Sequence, residues 1–255
     1  MHRAPVIDLF GISWLQVDLA SILAILVTAV IVFVLAFAGT RRLSVENPGK
    51  LQNFLEWIVE FVRNLIASTM DMERGKKFVM LGITLIMFIF VGNMLGLPLY
   101  LVTEHHEETK FLGYVLEPTR GLAHGDHVEI GWWKSPTADL SVTMGLALAM
   151  IILAHYLGIV KNTKPYFKHY FEPFALFFPL NIIKEISKLL TLGLRLFGNI
   201  FAGEVMISVL LMAGVFGILP LIVWQGFSIF VGAIQAFVFT ILTMVYISQT
   251  TEHNH

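Results

Sequence analysis

Apolar residues run along this chain in long unbroken stretches, interrupted by a few short polar segments. Val17 to Gly39 is an apolar run whose only charge is Asp18, at its edge. Phe78 to Val102 holds no formal charge. Pro136 to Val160 forms a third run, and the tracts 174–215 and 221–248 follow. Stretches of roughly 18–20 apolar residues are long enough to cross a bilayer as helix. They are too continuous for a transmembrane β-barrel, whose strands alternate over about ten residues. The pattern predicts an all-α integral membrane protein with about five membrane-embedded helices.

Residues 44–72 carry a different pattern. Gln52, Asn53, Glu56, Glu60, Arg63, Asn64 and Ser68 recur at three- and four-residue spacing, with Leu51, Leu55, Ile58, Val62 and Leu65 between them. This is helical periodicity with one polar face. It predicts an amphipathic helix, either lying on the membrane surface or packed on other chains, with a start at Asn47-Pro48. Residues 1–16 read as an interfacial entry segment, 103–135 as an outer polar loop, 161–173 as a basic linker and 249–255 as a polar tail. The first apolar run is longer than a signal-peptide core and lacks a clear small-residue cleavage site, so it reads as a retained span.

The length of the last two tracts sets a geometric problem. As one helix, 174–215 would be about 60 Å long, and 221–248 about 42 Å. The hydrocarbon core is only about 30 Å thick. The short break at Phe216 to Pro220 makes the two tracts an antiparallel hairpin, either bent, with Pro179 as a candidate bend, or steeply tilted. Arg195 lies near the middle of the first tract. A guanidinium stays charged, and placing one in hydrocarbon costs several kcal/mol. No carboxylate stands within one helical turn of it, whereas Lys188 can pair with Glu185 at i+3. Arg195 therefore calls for an anionic partner from elsewhere and marks a transport site. Asn199 shares its helix face at i+4, and Gln235 on the last helix can hydrogen-bond to Arg195 or Asn199. Helix-to-helix hydrogen bonding is the simpler reading for Ser228, Thr240 and Asn93. Asp139, in a first helical turn, reads equally as a complement to the helix dipole or as the start of an aqueous path. Asp18 is placed to reach the headgroup layer.

Composition narrows the class without changing this picture. The 255 residues are 56% hydrophobic and only 14% charged, and the net charge of -1 gives no reason to expect nucleic acid. There is no cysteine, so disulfides and thiolate metal sites are excluded. His105, His106, His124 and His127 lie among acids in the 103–135 loop, but their spacing matches no strong zinc motif, and a solvated acidic loop is the expectation. No phosphate-binding glycine-rich motif occurs, so no cofactor and no nucleotide chemistry is expected on this chain. Segment 40–77 holds seven Lys and Arg. The loop 103–135 holds three among six acids, and 161–173 holds three with one acid. The positive-inside rule puts the amino terminus outside and the carboxyl terminus in the cytoplasm.

LRLFGNIFAGE at 194–204, PLNIIKEISK at 179–188 and QAFVFTILTMVYIS at 235–248 resemble the subunit a family of F-type rotary ATP synthases, bacterial type. The resemblance covers the chain from about Asp18 onward and is most specific in the final third. It implies a stator that supplies two proton half-channels to a rotating ring of c subunits in a bacterial plasma membrane. It also implies a b-subunit peripheral stalk and catalytic partner chains. Arg195 matches the arginine that faces the ring carboxylates. Asn199, Glu204 and Gln235 match half-channel positions, Asp139 the outer entry, and Asn181 and Glu185 the cytoplasmic exit. Asn93 and Tyr246 match less specific polar positions. Where some members carry a histidine on the last helix, this chain has Ser228, so the entry path must use Glu204 and water. A secondary transporter would show internal repeats, which are not evident here. A passive anchor leaves the mid-depth charge of Arg195 without a purpose.

Overall fold

A computed structural model describes residues 4–8, 16–96, 102–106, 110–111, 114–119, 128–170 and 174–251. Seven α-helices are present among them: α1 (Leu19–Thr40), α2 (Lys50–Ala67), α3 (Met72–Gly75), α4 (Val79–Leu95), α5 (Leu140–Tyr170), α6 (Phe178–Met212) and α7 (Ile218–Thr251). Five segments are long and apolar enough to cross a membrane: α1, α3 together with α4, the first part of α5, α6 and α7. The amphipathic α2 is not among them.

The start of α1 follows from its cap. Asp18 accepts hydrogen bonds from the Ala20 and Ser21 amides at 2.9 and 3.3 Å, satisfying donors that have no partner inside the helix. Asp18 is thus the helix cap of α1. Ala20, Ala24 and Thr28 are fully buried at four-residue spacing, a small-residue stripe that lets neighbouring helices come close.

Two clusters form the core. In one, Ile58, Val62, Leu65 and Ile66 of α2 pack with Met87 of α4 and with Met244 and Ile247 of α7. The apolar face of α2 therefore packs largely on its own chain, while Trp57 remains exposed between the rings of Phe54 and Phe61. In the other, Leu85 and Ile89 of α4 meet Ala147 of α5, Leu192 and Leu196 of α6, and Ala236 and Phe239 of α7. These residues bring α4, α5 and α7 together behind α6.

Several sequence expectations shift. The segment after residue 160 continues as helix to Tyr170 instead of forming a linker. Pro179 lies in the first turn of α6 and does not bend it. The hairpin turn falls at Ala213 to Gly217, earlier than expected, and Pro220 sits in the first turn of α7. Proline fits there because first-turn amides have no intrahelical partner to lose. Gly214 makes the turn with a φ of 58°, in the left-handed region glycine tolerates. At 35 and 34 residues, α6 and α7 are each about 50 Å long, well beyond the hydrocarbon thickness.

The amino-terminal segment and the 103–135 segment are not simply solvated loop. Strand β1 (Val6–Asp8) pairs with β2 (Gln16–Asp18), β3 (Val102–His105) with β6 (Val128–Gly131), and β4 (Lys110–Phe111) with β5 (Tyr114–Val115), all antiparallel. Ile7, Leu116 and Ile130 bury a small apolar core among them. Pro98, the acids Glu107, Glu108 and Asp126, and the histidines His124 and His127 lie outside the described residues. No metal-binding cluster of histidines and carboxylates occurs among the described residues.

Candidate functional site: a polar line along α6

Helix α6 buries only Leu192, Gly193, Leu196 and Ile200. These fall at three- and four-residue spacing, so one narrow stripe holds the helix against its neighbours. Leu190, Leu194, Phe201 and Val209 are exposed around the rest of it. Arg195 lies on this open part. Among the described residues it makes no hydrogen bond and no ion pair.

One turn on, Asn199 donates from Nδ2 to Gln235 Oε1 of α7 at 2.9 Å. Of the two partners expected for Gln235, it takes Asn199. Gln235 itself is buried, so this bond joins the hairpin at mid-length.

Glu204 comes nine residues after Arg195, which puts it about half a turn round the helix on the opposite face. It points inward, where its carboxylate accepts a hydrogen bond from the Ser135 amide at 2.9 Å. Gly96 leaves room for this contact, since a Cβ there would stand 2.5 Å from Ser135 Cβ and 2.9 Å from Glu204 Oε1. Beside Glu204 opens a cavity of about 180 Å³ lined by Asn93, Asn199, Glu204, Trp224 and Ser228, among others. It has room and polar groups for several waters. Ser228 Oγ is buried and has no hydrogen-bond partner among the described residues, so it does not join helices as expected. Thr240 does not either, because its hydroxyl bonds to Ala236 O of its own helix at 2.8 Å. Asn93 does fill that role, donating to Gly232 O of α7 at 2.9 Å and accepting from Thr137 Oγ1 at 2.5 Å.

The Glu204 end of the bundle carries a charge cluster that sequence reasoning missed. Lys134 Nζ bonds to Asp139 Oδ2 at 2.8 Å and also to Asp18 Oδ2. Ser21 Oγ bridges the two carboxylates at 3.0 Å each. Burial acts to lower the pKa of Lys134, but the hydrogen bonds and charges of Asp139 and Asp18 outweigh it and hold the ammonium above its ordinary value. Asp139 also accepts from the Ser141 amide at 2.8 Å. It is therefore a helix-start acid with its charge already paired, and it is not among the residues lining the cavity. The one sequence signal was the closeness of Lys134 to Asp139. Nothing in the sequence linked either to Asp18.

At the other end of α6, Lys188 Nζ pairs with Glu185 Oε1 at 2.8 Å, as the i+3 spacing predicts. It also stands 5.4 Å from the centre of the Tyr246 ring. Asn181 lies one turn before Glu185, half-buried. His155 of α5 reaches the same carboxylate, with Nε2 at 3.7 Å from Glu185 Oε2.

Residues 22–248 match the ATP synthase A chain family. The chain belongs to that family. It is 48% identical to ATP synthase subunit a of Anoxybacillus flavithermus, 46% to that of Bacillus velezensis and 44% to that of Bacillus subtilis. Each comparison covers 100% of this chain and 99% of the relative. Family membership makes the chain a multi-pass membrane subunit of ATP synthase, with the catalysis of ATP synthesis on other subunits.

Proposed function

We propose that this chain is the stationary proton path of the enzyme's membrane sector. Arg195 faces a carboxylate on a rotating ring of c subunits, and two separate half-channels deliver and remove protons on either side of it. The outer half-channel is the cavity at Glu204, with Asn199, Gln235 and Ser228 beside it, Asn93 behind it and Asp139 and Asp18 at its mouth. The inner one runs by Glu185 and Asn181, near Tyr246. The b-subunit stalk docks on the same chain. The amino terminus is outside a bacterial plasma membrane and the carboxyl terminus in the cytoplasm, in keeping with the basic connections at 40–77 and 161–173.

The observation that carries this reading is an exposed Arg195 on a helix buried along one stripe only. Facing lipid, such a charge costs at least roughly 2.5–3.5 kcal/mol. Facing a carboxylate of another chain, it is neutralised in place. Because it stays charged, it also repels any proton moving straight from one half-channel to the other. The test is ATP-driven proton pumping by the reconstituted enzyme. Arg195→Ala abolishes it, and normal pumping by that variant overturns the reading. A passive anchor predicts assembly without any such loss.

A further inference from the structure

We propose that the inner proton path does not stop at Glu185 but continues through His155 to Tyr166, which rests on the proton-path reading above. The two carboxylate oxygens of Glu185 are divided between neighbours. Oε1 is held by Lys188 at 2.8 Å, which leaves Oε2 facing His155 Nε2 at 3.7 Å. On the far side of the ring, the Tyr166 hydroxyl meets His155 Nδ1 at 2.7 Å. Carboxylate, imidazole and phenol thus form one line. It leads from α6 to the part of α5 that follows the membrane-spanning stretch.

The line is built into the helix. His155 and Tyr166 are eleven residues apart, about three turns, so they share a face. A straight helix would separate them by about 16 Å, more than the two side chains bridge. Pro165 lies between them and supplies no amide to the helix ladder, which allows α5 to bend there. The Tyr166 ring then settles on Gly158, where a Cβ would come within 2.8 Å of Tyr166 Cδ2. The groups facing His155 are Glu185 and Lys188 from α6 and Tyr166 from its own helix, with Tyr246 of α7 beyond Lys188.

An imidazole suits this position because its two nitrogens can take a proton on one side and release one on the other. A proton leaves the Glu185 carboxylic acid, breaking O–H, and forms N–H at Nε2. The imidazolium gives its Nδ1 proton to the Tyr166 oxygen, whose own proton passes to water. One proton moves, no electrons do, and exchange with water, which takes the Nε2 proton and returns one to Nδ1, restores the starting tautomer. At 3.7 Å the ring and carboxylate are not yet hydrogen-bonded, and one bridging water or a small closing of the pair completes the line.

The experiment uses the whole enzyme in vesicles and reads ATP-driven pumping from pH 5 to 8, the range in which an imidazole changes charge. His155→Gln is expected to slow pumping and to lose the rate change that falls in this range. Tyr166→Phe keeps the ring on Gly158 and is expected to shift that rate change, with thermal stability of the complex unaltered. Parent-like profiles in both variants overturn the relay. If His155→Gln does not assemble, Tyr166→Phe decides alone: a shifted profile supports the relay and an unchanged one overturns it. An Arg195→Ala arm separates the two readings. Normal pumping there removes the proton path itself, whereas blocked pumping with parent-like His155 and Tyr166 variants removes only the relay.

Discussion

The Glu204 carboxylate and the Ser135 amide are joined by a 2.9 Å hydrogen bond. The bond anchors an acid of α6 to the backbone just ahead of α5, and Gly96 is the space that permits it. Gly96→Ala is expected to push Glu204 off Ser135, at an overpacking cost of roughly 1–3 kcal/mol. Pumping should fall while the assembled complex is retained. Pumping at the parent rate would show that the position of Glu204 is unimportant.

Lys134 bridges two carboxylates that would otherwise face each other unpaired. Lys134→Met should destabilise the chain by about 1–3 kcal/mol, the range for leaving a partly buried polar group unpaired. A second change, Asp139→Asn, should recover part of the loss. The pH dependence has a definite sign. The pKa of Lys134 is raised above 10.5, so its contribution is complete below that pH and disappears as the pH climbs through the raised value. Thermal unfolding of parent and Lys134→Met in detergent checks this, because the gap between them should be constant at neutral pH and close only in strong alkali.

Asn199 and Gln235 form the polar link between α6 and α7 at mid-length. Interhelical bonds of this kind average about 0.6 kcal/mol and reach about 1.7. A double-mutant cycle with Asn199→Ala and Gln235→Ala should return a coupling energy in that range. Strict additivity would mean that the two side chains do not interact.

Ser228 Oγ is buried beside the cavity with no partner among the described residues. Ser228→Ala therefore removes no protein hydrogen bond, and stability should change by no more than about 0.5 kcal/mol. Proton uptake through the Glu204 side should nevertheless slow, because the cavity loses a group that can hold water. Equal uptake rates in parent and variant would exclude Ser228 from the path.

How far these features could be read in advance depended on their distance along the chain. The apolar runs revealed the spans, since length and continuity are local properties. Glu185 and Lys188 were legible as an i+3 pair, and Arg195 as a charge without a nearby counterion. The Lys134 cluster was hidden because its second carboxylate, Asp18, lies 116 residues away. His155 and Tyr166 were hidden for a related reason: the lysines of 161–173 read as a basic linker after the span, whereas α5 continues through them to Tyr170. Pro220 misled in the same way. A proline breaks a helix only past its first turn, and the true turn lay at Gly214.

The spacing along α6 has an electrical side. Glu185 stands ten residues before Arg195 and Glu204 nine after it, rises of about 15 and 13.5 Å. A voltage that falls evenly along the helix axis is therefore cut into two nearly equal steps, whatever the helix tilt. The two steps therefore take about equal shares of the about 2.3 kcal/mol that 100 mV supplies to one charge crossing the whole membrane. On the proposed proton path, so even a division means that a membrane potential pushes a proton in on one side of the arginine about as hard as it pushes the next one out on the other.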